Sequence, residues 1–214
     1  SPLASIIKAN KGDSSTDTDE ITALIQKLED SLKGYFGKKF NPEKWEKQKD
    51  AILALYSSSL NAREVFGIMK FAAGKTTVVT GLTYLIRELR GEKLLAVVSH
   101  DHFAARDAKY TAYLLADKGI VLGYFTQEGK SFIYRDGRFQ KAERATVYKE
   151  ADAIYLVISE GVFDTQRELL SGILAQVEGK WRIIADEADA TLVAEALTPF
   201  VISTGKDKSL EKII

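Results

Sequence analysis

Apolar residues recur at helical spacing near the start of the chain, after a polar and turn-forming stretch over residues 11 to 20. Residues three or four positions apart lie on one face of a helix, so this pattern predicts an amphipathic helix. Gly34 and Gly37 are predicted to end it. The apolar positions of this helix are Ile21, Leu24, Ile25, Leu28 and Leu32.

A second helix is predicted directly after the first. Asn41 is a natural N-cap, and Pro42 suits the first helical position because the N–H that proline lacks has no partner there. The helix is predicted to run through Trp45 and Leu55 and to end at the serines at 57 to 59. Together the two helices predict a helical N-terminal appendage.

From Glu64 onward the pattern changes to short apolar runs rich in β-branched residues, separated by longer helical patterns. Near-continuous apolar strands linked by helices indicate a parallel sheet that is covered on both faces. The predicted fold class is therefore α/β, with a mainly parallel sheet flanked by helices. The predicted strands are VFGIM (65–69), LLAVVS (94–99), IVLGYF (120–125), AIYLVIS (153–159), WRIIAD (181–186) and PFVIS (199–203).

The segment FIYRDGRF (132–139) departs from this alternation. Its Asp136-Gly137 pair stands between aromatic residues, and Asp-Gly is a preferred dipeptide of two-residue hairpin turns. We therefore predict a β-hairpin at this point of the chain.

The same patterns predict the organisation of the chain. We expect residues 1–18 to be a disordered or cloning-derived tail and residues 19–60 to form the helical N-terminal segment. Residues 61–205 are predicted to form the α/β domain, and residues 206–214 to begin a following region that is cut short.

Composition narrows the classes of function. Lys plus Arg and Asp plus Glu both number 30, so the formal net charge is zero, whereas dedicated nucleic-acid-binding domains are usually basic. The chain has no cysteine, which excludes a thiolate zinc site. For His100 and His102 we predict a solvated or capping role rather than metal binding. Without a recognisable signal peptide or membrane-length apolar run, we expect a cytoplasmic protein, or one peripheral at a membrane.

The segment IMKFAAGKTT (68–77) has the context of a phosphate loop, because a predicted strand precedes it and a predicted helix follows it. In such a loop, Lys75 supplies a positive charge to the phosphates and the Thr76 hydroxyl holds magnesium. Gly74 and Thr77 complete the candidate nucleotide contacts. Taken alone, the stretch favours a simpler interpretation, a helix start with Gly74 as a loop residue.

A second candidate element is WRIIADEAD (181–189), an apolar strand that ends in acidic residues. Asp186 at the strand tip can hold magnesium, and Glu187 can orient or deprotonate an attacking water. Acidic residues are also common at helix N-termini, which is the simpler interpretation. Because both elements occur in the expected chain order, we predict a P-loop NTPase domain that uses a nucleotide and Mg²⁺, with Lys75, Asp186 and Glu187 as its catalytic residues.

Four blocks resemble one known family: MKFAAGKT (69–76), residues 83 to 110, residues 150 to 164, and ADEADATLVAEALTPFVIS (185–203). They are similar to blocks of the N-terminal motor domain of SecA, the ATPase of bacterial preprotein translocation and a relative of the DEAD-box helicases. The resemblance covers roughly residues 45 to 214 and implies a RecA-like fold. It also implies that Gln48 reads the adenine ring, and that the partners are a preprotein or other protein substrate and a translocation channel.

The chain departs from the family within the phosphate loop. Phe71, Ala72 and Ala73 stand where the family has Thr, Gly and Glu, while Gly74 and the two residues after it match. Glycine in such loops allows close backbone approach and positive φ. We therefore expect a real nucleotide site with weakened affinity.

The resemblance also implies that more motor follows KDKSLEKII (206–214), including a second RecA-like half. That half would supply the arginine that stabilises transition-state charge, so we expect this chain alone to have little steady ATPase activity.

Three functional hypotheses follow. The first is a SecA-like ATP-binding motor domain, and the second is a non-catalytic module that acts through protein contacts, which the altered loop favours. The third is a DEAD-box RNA helicase, suggested by the literal DEAD at 186–189. The neutral charge and the Thr198-Pro199 segment argue against the third.

Overall fold

A computed structural model describes residues 16–61, 73–126, 129–157 and 180–185 of the protein. The described residues form five α-helices and six β-strands. The helices are α1 (Thr16–Phe36), α2 (Pro42–Asn61), α3 (Lys75–Arg90), α4 (Asp101–Leu115) and α5 (Arg144–Glu150). The strands are β1 (Lys93–Val98), β2 (Leu122–Phe125), β3 (Ser131–Arg135), β4 (Arg138–Lys141), β5 (Ala153–Val157) and β6 (Trp181–Ala185).

The strands form one sheet in the order β4-β3-β2-β5-β1-β6. The pairs β2–β5, β1–β5 and β1–β6 are parallel, whereas β2–β3 and β3–β4 are antiparallel. The predicted mainly parallel α/β sheet is therefore confirmed. The β3–β4 pair is the predicted hairpin, whose turn residues Asp136 and Gly137 have positive φ values of 51° and 76°.

Both faces of the central strands β2 and β5 are buried, which explains their continuous apolar runs in the sequence. Along β5, Tyr155 and Val157 join the core cluster that includes residues of α3 and α4. Ile154 and Leu156 point the other way and pack with Val147 of α5. Because successive side chains of a strand alternate between faces, a strand covered on both sides has to be apolar throughout.

The predicted end of α1 is confirmed at Gly37, whereas the predicted end of α2 at the serines is wrong. Helix α1 continues past Gly34 to Phe36, and α2 continues through the serines to Asn61. In α2 the Ser59 hydroxyl donates to the Tyr56 carbonyl at 2.7 Å, so this side chain bonds within the helix and does not compete with it. Packing of the apolar helix faces outweighs the weak local preference for termination.

The predicted start of α2 is confirmed. The Lys44 N–H donates to the Asn41 side-chain oxygen at 2.9 Å, the bond of an N-cap, and Pro42 is the first helical residue. Helix α1 begins at Thr16, before the predicted boundary of the helical segment at residue 19.

Helices α2 and α3 approach closely at Gly81. A Cβ atom added at Gly81 would lie 2.4 Å from Ile52 Cδ1 and 3.2 Å from Leu28 Cδ2, and both of those side chains are fully buried. The glycine therefore sets how near α3 lies to the N-terminal helices.

Several predictions fall outside the described residues. These are the strands at 65–69 and 199–203, most of the predicted tail, and the following region at 206–214. Within the described residues, no helix is both long enough and apolar enough to cross a membrane.

Two glycine substitutions should change stability in opposite directions. Alanine in a helix interior is favoured over glycine by about 1 kcal/mol, but at Gly81 the added methyl group overlaps Ile52, and overpacking costs roughly 1–3 kcal/mol. We expect Gly81→Ala to lower the free energy of unfolding by about 1 kcal/mol. Gly34→Ala, where no atom lies within 4 Å of the new Cβ, should raise it by a few tenths of a kcal/mol. Urea unfolding followed by circular dichroism measures both, and a stabilised Gly81→Ala variant would contradict the close packing.

Candidate functional site

The loop that leads into α3 ends in a left-handed glycine. Gly74 has φ 87° and ψ 47° and is the N-cap residue of α3. A Cβ atom at this position would lie 2.0 Å from Gln48 Nε2 and 3.3 Å from Lys44 Cε. Glycine is therefore required twice here, for its backbone angle and for the space that the Gln48 side chain occupies.

Gln48 of α2 supports this loop. Its side-chain amide donates to the Ala73 carbonyl at 2.9 Å and lies 3.4 Å from the Gly74 carbonyl. The residue is 6% exposed, so the bond is shielded from water. The family resemblance implies that Gln48 contacts the adenine ring of a bound nucleotide. The structure shows it in contact with the backbone of the loop.

Lys75, Thr76 and Thr77 are the first three residues of α3. The Gly74 carbonyl accepts the Thr77 N–H at 3.0 Å and the Val78 N–H at 3.4 Å, which closes the first turn. The first N–H groups of a helix have no acceptor within the helix, and the helix dipole makes this end positive. Such an end can bind an anionic group such as phosphate.

The first turn of α3 lies at the carboxyl end of the parallel strands. Thr76 lines a small cavity of about 10 Å³ together with Val98, the last residue of β1, and Ile184, near the end of β6. Ligands of open α/β sheets bind at this edge. The described part of the loop is therefore on the side that a nucleotide site requires.

The predicted acidic residues Asp186 and Glu187 lie outside the described residues, as do Phe71 and Ala72 of the loop. Strand β6 ends at Ala185, directly before Asp186, and Ala185 pairs in parallel register with Val97 of β1.

A cleft of about 570 Å³ opens beside the loop, within the size range of small-molecule sites. Its basic lining residues outnumber its acidic ones, so the cleft favours an anionic ligand. Many of the others are aromatic. The lining residues are Leu32, Tyr35, Phe36, Lys39, Phe40, Asn41, Lys44, Trp45, Gln48, Gly74, Thr76, Thr77, Arg106, Asp107, Lys109, Tyr110 and Tyr113.

Arg106 and Asp107 are adjacent residues of α4, and both line the cleft. The Asp107 side chain is 5% exposed and accepts a bond from Arg106 Nε at 2.6 Å. Arg106 also lies over the Phe103 ring, with 4.4 Å between the guanidinium carbon and the ring centroid. Asp107 lines both the small cavity and the cleft, so it is a buried carboxylate of the site and not a surface charge.

Helical spacing could have identified the α4 side of the cleft. Lys109 and Tyr110 follow Arg106 by three and four residues, and Tyr113 follows it by seven, which puts the four residues on one helix face. Tyr110 packs against α1, since its ring meets Tyr35 edge to face at 5.2 Å. Tyr113 also contacts the Tyr35 ring at 4.8 Å but stays 61% exposed.

The histidines do not form a metal site with the residues around them that the structure describes. His100 is the N-cap residue of α4, and its carbonyl accepts from the Phe103 N–H at 3.0 Å. The His100 and His102 rings stack with centroids 5.7 Å apart. No cluster of three or more His, Asp or Glu side chains suited to a metal occurs in the described ranges.

A mainly parallel sheet, a left-handed glycine before a helix at its carboxyl edge, and a basic cleft define an α/β domain of the RecA-like type. Comparison with protein families agrees with this class and narrows it. The model of the SecA DEAD-like domain matches residues 7–214, and the chain belongs to that family.

Relatives that are similar in sequence to this chain are named as SecA subunits. The protein translocase subunit SecA of Porphyra purpurea is 31% identical over 146 residues, which is 67% of this chain and 15% of the relative. The SecA subunit of Helicobacter hepaticus is 34% identical over 145 residues, covering 67% and 16% of the two chains. The SecA subunit of Prochlorococcus marinus strain MIT 9313 is 32% identical over 149 residues, which is 68% of this chain and 14% of the relative. The chain thus spans about one sixth or less of the length of these relatives.

The two reasons for glycine at position 74, its backbone angle and the space for Gln48, can be separated by introducing Gly74→Ala into the wild-type protein and into a Gln48→Ala variant. A side chain in the left-handed region costs roughly 1–2 kcal/mol, and overlap with the Gln48 amide adds to this. We expect Gly74→Ala to lower the free energy of unfolding by about 2–3 kcal/mol in the wild-type background and by only about 1–2 kcal/mol beside Gln48→Ala. Chemical unfolding of the four proteins of this cycle gives the difference.

Gly119→Ala is the matched control for that cycle. Gly119 has a similar φ of 76° but no atom within 4 Å of an added Cβ. The loss of stability in Gly119→Ala therefore reports the backbone cost alone, and it should be the same with and without Gln48→Ala. Equal penalties for Gly74→Ala in both backgrounds would refute the contact between Gln48 and the loop.

Proposed function

We propose that this chain is an ATP-binding motor domain of a SecA-type translocation ATPase. In this proposal ATP and magnesium bind between the 71–77 loop and the acidic pair Asp186 and Glu187. The observation that carries it is the first turn of α3, which begins at a left-handed glycine and opens into a basic cleft at the carboxyl edge of the sheet.

The described residues fit a triphosphate. Gly74 lets the backbone turn into α3, whose first N–H groups and dipole suit phosphate oxygens. Lys75 and Thr76 follow directly, and the basic side chains Lys44 and Arg106 line the same cleft.

Magnesium would be held by the Thr76 hydroxyl and Asp186. When bound, the ion neutralises charge on the phosphate groups. Glu187, the next carboxylate, would orient or deprotonate the attacking water. Lys75 would bind the terminal phosphates, so the proposed catalytic residues are Lys75, Asp186 and Glu187.

Gln48 would connect the base of the nucleotide to the loop. Its Nε2–H donates a hydrogen bond to the Ala73 carbonyl. The side-chain oxygen Oε1 is then the atom suited to accept a hydrogen bond from the adenine amino group. Guanine has a carbonyl at that place, so the contact favours ATP over GTP. We propose this dual role for Gln48.

The relatives are named protein translocase subunits. On that basis we propose that the complete protein acts on a preprotein or another protein substrate together with a translocation channel.

A second candidate function is a non-catalytic module that acts through protein contacts. The altered loop favours it, because Phe71, Ala72 and Ala73 replace the residues that the family has at the phosphates. The two functions differ in one measurable property, which is the affinity for ATP.

Restoring the family's loop residues should strengthen ATP binding. We expect the combined variant Phe71→Thr, Ala72→Gly and Ala73→Glu to bind ATP about ten- to a hundredfold more tightly, which corresponds to roughly 1–3 kcal/mol from a relieved backbone and a regained hydrogen bond. Isothermal titration calorimetry of ATP, with and without magnesium, measures the change. The three changes are made together because neighbouring loop residues rarely act additively.

Lys75→Ala in the restored loop is the control and should abolish the gain. If the restored protein stays folded but shows no ATP binding, the motor proposal is contradicted and the non-catalytic module becomes the better account.

A further inference from the structure

A side chain from α4 holds the first turn of α3. The Tyr110 hydroxyl lies 2.8 Å from the Thr77 hydroxyl. Thr77 is 5% exposed and is the third residue of α3, and its N–H closes the first turn on Gly74. The hydroxyl pair is thus a direct bond between the cleft wall and the turn that follows the loop.

The Tyr110 ring is itself fixed by neighbours. It meets Tyr35 of α1 edge to face, with centroids 5.2 Å apart, and lies 6.5 Å from the Phe36 ring. Burial raises the pKa of Tyr110 even though the bond to Thr77 lowers it. The hydroxyl therefore keeps its proton at neutral pH and can donate as well as accept.

A second hydroxyl chain joins the same two helices one turn further along. Thr80 lies 2.8 Å from Thr111, which lies 2.7 Å from the Tyr155 hydroxyl of β5. Thr80 and Thr111 are fully buried and, unlike Thr77 and Tyr110, are not part of the cleft lining. This chain anchors the helices to the sheet and offers a comparison for the bond at the cleft.

We propose that Tyr110 is a positioning residue for the nucleotide phosphates, acting through its hydrogen bond to Thr77. The proposal rests on the proposed nucleotide site. The N–H groups that would meet the phosphates belong to the same turn as Thr77, and a displacement of that turn moves them together. A site for a charged ligand depends on donors that are held in place before the ligand arrives.

The variant Tyr110→Phe tests this, because it keeps the ring and removes only the hydroxyl. We expect it to weaken binding of both ATP and inorganic tripolyphosphate, measured with magnesium by calorimetry, by the same factor of about three- to tenfold. Tripolyphosphate has no base or ribose, so an equal loss for the two ligands assigns the effect to the phosphate end. The restored-loop protein provides the background if wild-type affinity is low.

Two control variants separate positioning from simple stabilisation. Thr111→Val breaks the buried chain and should lower the melting temperature while leaving both affinities unchanged. Tyr134→Phe removes a tyrosine hydroxyl from β3, outside the cleft lining, and should change neither property.

The remaining outcomes overturn the proposal. If Tyr110→Phe weakens the binding of ATP but not of tripolyphosphate, Tyr110 acts on the base or ribose. If both affinities are unchanged, the bond to Thr77 does not position the phosphate site. If neither ligand binds even in the restored loop, the proposed function fails. Backbone amide hydrogen exchange in the absence of ligand then decides the positioning claim, since Tyr110→Phe should speed exchange in the first turn of α3 and unchanged exchange would refute it.

Discussion

The close contact between α2 and α3 is the constraint on which the rest of the site depends. It rests on two glycines, because Gly74 leaves room for the Gln48 amide and Gly81 leaves room for the Ile52 side chain. A larger residue would displace the Gln48 amide at position 74 and would overlap the buried Ile52 side chain at position 81. The same contact gives Gln48 its bond to the Ala73 carbonyl and so shapes the end of the loop.

Helix α3 is held at both ends and along its length. At its last turn, Arg87 Nε donates to the Asp152 carboxylate at 2.6 Å, and the other oxygen of Asp152 accepts the Val121 N–H at 2.8 Å. Between the ends, hydroxyl pairs tie α3 to α4 and to β5. Polar bonds buried in this way are costly to break, since each leaves a group without a partner. The loop therefore projects from a helix whose position is fixed.

Charge is distributed unevenly in a chain whose formal net charge is zero. Basic side chains converge on the cleft from several elements: Lys39 follows α1, Lys44 is on α2, and Arg106 and Lys109 are on α4. The buried carboxylate of Asp107 is next to this group and is paired with Arg106. Net charge thus gives little information about this surface, because an electrostatic site depends on where charges meet and not on their sum.

The sequence by itself determined the α/β class, the hairpin, the N-cap at Asn41 and the position of the candidate loop before α3. These features depend on local signals: a periodic apolar pattern, a turn dipeptide, a capping side chain and a glycine beside a helix start. Only the tertiary structure decided that α1 continues past Gly34 and α2 past the serines, because packing of the two helices overrides the weak local preferences of these residues. It also decided that Gln48 reaches the Ala73 carbonyl, that Asp107 is buried, and that Tyr110 bonds to Thr77. Each of these contacts joins residues on different elements, and their meeting depends on how closely the helices pack, which no local pattern encodes.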